Sequence, residues 1–228
     1  MLMIKNERAA FAVRYAVPFV LVPAAAVAGT LLLDEDKHLL VSLFAAALSL
    51  LLFAAGFDKR RIGTRRMVIC AVMTALAFAG RFIPFLNPIT AMAIITGIYM
   101  GCEAGFMVGA LSALLSNFYF GQGPWTVFQM LAWGLIGFIA GLLSAPLKKS
   151  RIALLTYGVL CGALYSFIMD IWTVLWYNRG FSLSLYGAAI ASAIPYTASY
   201  IVSNVLFLLL LFKPFGVKLE RVKTKYGI

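Results

Sequence analysis

The stretch GQGPWTVFQMLAWGLIGFIAGLL, residues 121–143, decides the fold class of this 228-residue chain. It opens with a Gly-Gln-Gly-Pro turn and then carries no charged residue from 125 to 143. About 20 apolar residues in a helix cross the roughly 30 Å hydrocarbon core of a bilayer, whereas barrel strands alternate in short segments. The stretch therefore predicts a membrane-spanning helix. The Gln and Trp residues near the start of this stretch raise the question of what they contact.

The composition of the whole chain supports the same class. Hydrophobic residues make up 63% of the chain and charged residues only 12%, and the mean hydropathy is +0.96. Soluble domains carry about 25% charged residues. We therefore predict an all-α polytopic membrane protein, in which a Gly-rich pivot, GCEAG, separates the fourth span from the fifth. The eight predicted spans are about 11–33, 39–57, 67–82, 91–99, 104–118, 125–143, 152–176 and 188–212.

The basic residues predict the orientation of these spans. With eight spans and a cytoplasmic N-terminus, fifteen basic residues fall on inside segments and three, Lys37, Arg81 and Arg179, on outside loops. Positive charge is retained in the cytoplasm when helices insert. We therefore expect a multi-pass plasma-membrane protein with both termini cytoplasmic. Nucleic-acid binding is disfavoured, because the basic residues are spread over separate loops rather than gathered in one patch.

The N-terminal residues allow two interpretations. Lys5 and Arg8 precede an apolar run, and the sequence AAAVAG within that run resembles a signal-peptide cleavage site. Arg14, Pro18 and Pro23 interrupt the run, which favours a retained helix over a cleaved signal.

Residues suited to catalysis or metal binding are scarce. His38, the single histidine, lies beside an acidic turn, and no zinc-type spacing, phosphate loop or Gly-x-Ser-x-Gly elbow is present. Cys70, Cys102 and Cys161 are widely spaced, as packing residues in a reducing compartment would be. We expect no enzymatic activity, no cofactor and no metal, so ATP hydrolysis would require partner subunits.

Polar and aromatic residues inside the spans point to a binding site, because such groups are costly in lipid and tend to be functional. Trp125, Gln129 and Trp133 recur every four residues and so share one face of a helix. Asp170 lies within the seventh span. All of these positions, together with the polar residues of the last span, fall in the predicted outer half of the membrane, where a pocket open to the exterior would form.

Each of these residues also has a structural alternative. Trp125 fits an interfacial aromatic belt, and Gln129 fits a hydrogen bond between neighbouring helices. Asp170 fits an ion pair with Arg81 or Arg179, which are assigned to the same side. The sequence leaves these alternatives open, although the convergence of several polar groups on one side favours a pocket.

Small residues line one face of the third predicted span. Ala71, Ala75 and Ala79 follow one another at i, i+4 spacing. Small residues at this spacing allow another helix to approach closely in lipid. The face is therefore a candidate partner-docking surface, with packing inside the protein as the alternative.

Together these elements resemble the substrate-binding S component of energy-coupling factor (ECF) vitamin transporters. The resemblance covers 58–228 and is carried by the alanine face, the loop FLNPIT, the segment GCEAGFMVGALSALLSNF and the stretch 121–143. The last of these is most similar to S components assigned to cobalamin. The resemblance implies a six-helix substrate-binding membrane core at 58–228, preceded by a two-helix membrane extension at 1–57.

The resemblance also implies a transport function. An S component binds a vitamin from outside, delivers it through a membrane T subunit and two cytoplasmic ATPases, and topples to release it. Cobalamin is the first expectation here, with riboflavin or a pterin as alternatives, and the alanine face would dock the T subunit. Loops 81–90, 117–125 and 177–187 would cover the pocket. The candidate substrate-binding residues are Asn87, Asn117, Tyr119, Gln122, Trp125, Gln129, Trp133, Asp170, Tyr196, Tyr200 and Asn204.

Two other functions stay open at this point. A stand-alone permease or channel would show more intramembrane charge than Asp170 and an inverted repeat of broken helices. A membrane scaffold would not need a polar cluster that faces outward.

Overall fold

A computed structural model describes residues 12, 15–32, 40, 43–48 and 63–226. The regular structure in these ranges is helical, without a strand, which confirms the predicted all-α class. A π-helical turn, Val17–Leu21, leads into the first α-helix. The helices are α1 (Val22–Leu32), α2 (Gly63–Gly80), α3 (Ile89–Met100), α4 (Cys102–Phe120), α5 (Thr126–Leu142), α6 (Ser144–Lys149), α7 (Arg151–Asn178) and α8 (Leu183–Tyr226).

Each of the six predicted spans between 67 and 212 overlaps one helix of the core, whereas α6 was not predicted. Among the described residues, α7 and α8 are both long and apolar enough to cross a bilayer, and α3 and α5 are shorter apolar helices. The predicted span 188–212 is the middle of α8, which continues through Pro195 and Pro214 to Tyr226. The predicted span 39–57 lies mostly outside the described residues, so the count of eight spans stays a prediction.

Among the core helices that match predicted membrane spans, α3 is the shortest. Its 12 residues are all buried, and at 1.5 Å per residue they extend only about 18 Å. Gly101 ends α3 with φ 97°, and α4 begins at the next residue. A glycine adopts this left-handed conformation at little cost, which explains why a Gly-rich pivot separates the two helices.

Contacts at the two ends of α2 establish the direction of its neighbours. Arg66, in the first turn of α2, donates to the carbonyl of Met100 and lies 3.7 Å from the carboxylate of Glu103. Arg81, just after α2, donates to Asn117 near the end of α4. Thus α2 and α4 run in parallel and α3 runs back between them. We call the two ends of the bundle the Arg66 end and the Arg81 end.

Glycine contacts bring α3, α4 and α5 unusually close. A Cβ added to Gly137 of α5 would lie 2.3 Å from the carbonyl oxygen of Gly105 in α4. A Cβ on Gly97 of α3 would lie 2.1 Å from the carbonyl oxygen of Gly137, and one on Gly109 would meet the backbone of Trp133 at 2.3 Å. These three helices form a close-packed trio that leaves little room for adjustment.

The segment before the core packs against the outside of this trio. The rings of Tyr15 and Phe19 meet the ring of Phe138 edge to face, with centroids 6.1 and 5.6 Å apart. The described part of 1–57 thus contacts the core through α5 and α7.

Candidate functional site

An open cavity of about 540 Å³ lies at the Arg81 end of the bundle. It forms where the loop 81–88 meets the end of α4 and the part of α8 around Tyr200. Small-molecule sites in proteins commonly measure about 300–1,000 Å³. The lining residues are Arg81, Phe82, Ile83, Pro84, Phe85, Leu86, Asn87, Tyr119, Phe120, Tyr196, Ser199, Tyr200 and Ser203.

Aromatic rings dominate this lining. The ring centroid of Phe82 lies 4.8 Å from that of Tyr119 and 5.0 Å from that of Phe120. Tyr196 and Tyr200 face this group from α8. Offset and edge-to-face contacts with such rings favour a flat aromatic ligand.

The loop over the cavity is attached to α8 by two serines. Ser203 Oγ accepts from the N–H of Asn87 at 2.7 Å and donates to the carbonyl of Asn87 at 3.0 Å, and Ser199 Oγ donates to the carbonyl of Phe85 at 3.2 Å. Asn87 Oδ1 also accepts from the N–H of Ile89 at 3.0 Å and so holds the start of α3. The serines therefore position the loop that closes one side of the cavity.

A chain of hydrogen bonds leads from the cavity into the helical core. Arg81 Nη1 donates to Ser116 Oγ at 2.6 Å and to Asn117 Oδ1 at 2.7 Å. Asn117 Nδ2 donates to Gln129 Oε1 at 2.7 Å, and Gln129 Nε2 donates to the hydroxyl of Tyr165 at 3.1 Å. Since each buried amide needs its partners, this chain fixes the orientation of Arg81 at the cavity wall.

The Gly-Gln-Gly-Pro turn supports this chain. Thr126 Oγ1 donates to Gln122 Oε1 at 2.9 Å and accepts from Asn117 Nδ2 at 2.9 Å, while Gln122 Nε2 donates to the carbonyl of Leu114 at 3.1 Å. Gly121 has φ 110°, in the left-handed region that favours glycine. The polar turn at the start of the stretch 121–143 therefore contacts α4 and joins the start of α5 to the end of α4.

Trp133 lies deeper in the same layer. Its indole N–H donates to Thr90 Oγ1 at 3.1 Å, and its ring stacks on Tyr165 with centroids 4.6 Å apart. Tyr165 in turn meets Tyr200 edge to face at 4.7 Å. Trp133 therefore touches the cavity through Tyr165 and Tyr200 rather than directly.

Asp170 makes neither of the ion pairs that the sequence allowed. Arg81 is bonded to Asn117, and Arg179 lies over the ring of Trp176 at 5.3 Å. Asp170 is buried in α7, and its Oδ2 atom has no hydrogen-bond partner within the part of the chain that the structure describes.

The candidate residues therefore separate into three groups. Four line the cavity: Asn87, Tyr119, Tyr196 and Tyr200. Asn117, Gln129 and Trp133 lie behind it, and Gln122 holds the turn. The remaining three lie outside the lining.

Those three residues are Trp125, Asp170 and Asn204. Trp125 meets Trp172 edge to face at 5.8 Å, and Asn204 Nδ2 donates to the carbonyl of Gly158 at 3.1 Å, a helix–helix bond.

Among the residues that the sequence did not single out as candidates, Arg81 and Tyr165 connect the cavity with the core. Arg81 was read as an outer-loop cation or an ion-pair partner, although it lies at the junction of cavity and core. Tyr165, which is buried and connects Gln129 with the ring of Trp133, carries no sequence signal beyond its position five residues before Asp170.

The alanine face of α2 points away from the core. Ala71, Ala75 and Ala79 are all exposed, whereas Cys70 and Ala77 on the opposite side are buried. The exposed side of α2 also carries the apolar residues Met67, Val68, Val72 and Leu76. The face is therefore available to lipid or to another helix.

Among the described residues, the fold has two helices long and apolar enough to cross a bilayer, and a solute-sized cavity lies at one end of the bundle. Residues 61–217 match the protein family described as ECF-type riboflavin transporter, S component. Because this match covers more than half of the chain, the chain belongs to that family, and its place is in a membrane. Comparisons with curated proteins and with solved structures gave no match. The match confirms the predicted S component but does not support the cobalamin-type subclass.

Proposed function

We propose that this chain captures riboflavin outside the cell as the substrate-specific subunit of an ECF importer, and that the cavity at the Arg81 end is its binding site. The observation that carries the proposal is the composition of this cavity, in which aromatic rings face Arg81, Asn87 and two serines. The family match supports the choice of vitamin, since riboflavin is the substrate that the family description names.

Riboflavin has two parts that suit the two kinds of lining residue. Its flat three-ring system matches the rings of Phe82, Tyr119 and Phe120, which stack or tilt against one another. Its ribityl chain carries hydroxyl groups, which donors and acceptors such as Arg81 and Ser199 can bind. Cobalamin is several times larger than riboflavin, and a cavity of about 540 Å³ suits the smaller molecule.

The packing below the cavity favours a binding subunit over an open channel. Tyr200 rests on Tyr165, which stacks on the buried ring of Trp133. A solute in the cavity would meet this aromatic layer and the Gln129 amide before reaching the Arg66 end. Release inward then requires a rearrangement driven by partner subunits.

The partners follow from the family, which implies a T subunit and two ATPases. The exposed alanine face of α2 is the proposed contact for the T subunit, because small residues let helices approach closely in lipid. The fifteen-to-three distribution of basic residues would place the Arg66 end in the cytosol. The cavity would then face the exterior, where a scarce vitamin is captured.

A titration of the purified protein tests the proposed ligand. We expect the rings of the cavity to quench the fluorescence of bound riboflavin. We also expect that cyanocobalamin does not compete with riboflavin for the cavity. Tyr119→Ala removes a ring that is 67% exposed, so the fold should persist while affinity falls about tenfold, as loss of about 1–3 kcal/mol of stacking predicts.

Tyr177→Ala is the matched control. Tyr177 is 78% exposed at the end of α7 and does not line the cavity, so the affinity of this variant should equal that of the wild type. Equal affinity in both variants, or tighter binding of cyanocobalamin than of riboflavin, would contradict the proposal.

A further inference from the structure

A second cavity, of about 300 Å³, lies at the Arg66 end, where α6 and the start of α7 meet α8. Three cations and several large apolar residues line it. The cations are Lys148, Arg151 and Lys213, and the apolar lining includes Leu154, Leu208 and Phe212. This cavity shares no residue with the one at the Arg81 end.

The charge of this second cavity is only partly compensated. Lys148 lies 3.3 Å from the carboxylate of Glu220 and 4.3 Å from the ring centroid of Tyr99. Arg151 and Lys213 are exposed, and within 63–226 neither forms an ion pair. The rim therefore presents two positive charges that an anion would neutralise.

The apolar part of the cavity lies directly beside these charges. Leu154 and Leu208 are buried and form its floor, while Leu209 is exposed at its side and Phe212 is half-buried. A soluble anion would use the rim and leave this apolar wall uncovered. A molecule with a phosphate next to a hydrocarbon chain would cover both.

We propose that this cavity binds an anionic phospholipid, with the phosphate on Arg151 and Lys213 and one acyl chain along Leu209 and Phe212. Basic pockets between helices on the cytoplasmic side of membrane proteins bind anionic headgroups in this way. The lipid would join the start of α7 to α8 just before Pro214. The inference does not depend on which vitamin the other cavity holds.

Native mass spectrometry of the full chain in detergent tests this assignment. The protein is titrated with dioleoyl phosphatidylglycerol and, separately, with dioleoyl phosphatidylcholine, which has the same chains and no net charge. We expect bound phosphatidylglycerol at concentrations at least about tenfold below those needed for phosphatidylcholine. Equal retention of the two lipids would overturn the proposal.

Paired charge variants locate the site. The double variant Arg151→Gln/Lys213→Gln should lose the preference for phosphatidylglycerol by about tenfold. The control Arg221→Gln/Lys223→Gln removes the same charge from exposed positions of α8 outside the cavity and should keep the preference. Equal losses in both would show a diffuse charge effect and overturn the proposal. If the first double variant fails to elute as a monodisperse helical protein, Lys213→Gln alone replaces it, with a smaller expected loss.

Two competitors distinguish the lipid from other occupants. Glycerol 3-phosphate carries the phosphate without the acyl chains and should displace phosphatidylglycerol only at far higher concentration. Displacement at similar concentration would show a soluble-anion site instead. Release of the lipid when the T subunit is co-purified would show that the cavity belongs to a protein interface. Either result would overturn the proposal.

Discussion

The close-packed trio α3–α4–α5 differs from the shell around the cavity in the contacts that hold its parts together. The shell comprises the loop 81–88, the end of α4 and the part of α8 around Tyr200. In the trio, backbone meets backbone at glycines such as Gly105 and Gly137. In the shell, the loop 81–88 meets α8 through the side chains of Ser199 and Ser203. A hydrogen bond contributes only about 0.5–1.5 kcal/mol net, so the shell separates at far lower cost than the trio.

This difference assigns separate tasks to the two regions. The trio holds Asn117 and Gln129 in place, and they orient Arg81 at the cavity wall. The shell supplies exposed rings, and we expect its loop to part from α8 when a ligand enters. Substitutions in the trio should therefore destabilise the fold, whereas substitutions in the shell should change affinity and leave the fold intact.

The strongest test of the comparison adds one methyl group to the trio. Gly137→Ala places a Cβ 2.3 Å from the carbonyl oxygen of Gly105, and because backbone rather than a flexible side chain must move, we expect a loss of about 3 kcal/mol or more. Thermal loss of monodispersity in detergent measures the effect. Gly187→Ala is the control, because a Cβ there meets nothing within 4 Å. Similar melting of both variants would contradict the claim of a close-packed trio.

The next test acts where trio and shell meet. Arg81→Met removes the donor to Ser116 and Asn117. Arg81 also lines the cavity, where its remaining N–H donors can bind the ligand. Since a hydrogen bond to a charged group contributes about 1.5–3 kcal/mol, we expect riboflavin affinity to fall about tenfold to a hundredfold. Arg179→Met is the control, because Arg179 lies over Trp176 outside the cavity. Unchanged affinity of the Arg81 variant would show that the hydrogen-bond chain does not shape the site.

The sequence predicted the trio better than it predicted the shell. The span 125–143 agrees closely with α5, Thr126–Leu142, because an uncharged apolar run after Gly-Pro has few other interpretations. The four-residue spacing predicted one shared face for Trp125, Gln129 and Trp133. In the structure Trp125 immediately precedes α5 and meets Trp172, whereas Gln129 and Trp133 lie within the helix. Spacing does not reveal which neighbour the face meets, and here Gln129 and Trp133 face Thr90 and Tyr165 rather than the open cavity.

Arg81 illustrates the limit for charged residues. A cation at the end of a predicted span is typical of an interfacial anchor, an ion pair or a ligand contact, and these have the same sequence pattern. Its bonds to Ser116 and Asn117 depend on α4 running in parallel to α2, a tertiary relation that no local pattern contains. The residues around the cavity come from 81–87, 119–120 and 196–203, so only the fold brings them together.

A third test concerns α2, which packs on the trio with one face and exposes the other. Ala75→Leu adds bulk to the exposed alanine face, so riboflavin binding should be unchanged. Co-purification with the T subunit should fall about tenfold, as loss of close helix packing worth about 1–2 kcal/mol would predict. Ala191→Leu on the exposed side of α8 is the control. Normal co-purification of the Ala75 variant would favour lipid as the neighbour of this face.

The test with the smallest expected effect distinguishes the contribution of the Phe85 ring from that of the strained backbone at this position. Phe85 is 93% exposed at the cavity and has φ 62°, a conformation that costs a non-glycine residue about 1 kcal/mol or more. Phe85→Ala removes the ring but keeps this strain, so we expect riboflavin affinity to fall about threefold, as one lost aromatic contact of about 0.5–1 kcal/mol predicts.

Phe85→Gly removes the ring and also the strain, so the unliganded loop should become more stable than in the alanine variant. If riboflavin binding requires the loop to leave its present conformation, the glycine variant should bind more weakly than the alanine variant. If binding keeps that conformation, glycine should bind equally well or better. Phe181→Ala removes an exposed ring outside the cavity and should leave the titration unchanged. If riboflavin affinity falls as much in this control as in Phe85→Ala, the ring at position 85 contributes no more to binding than an exposed ring outside the cavity.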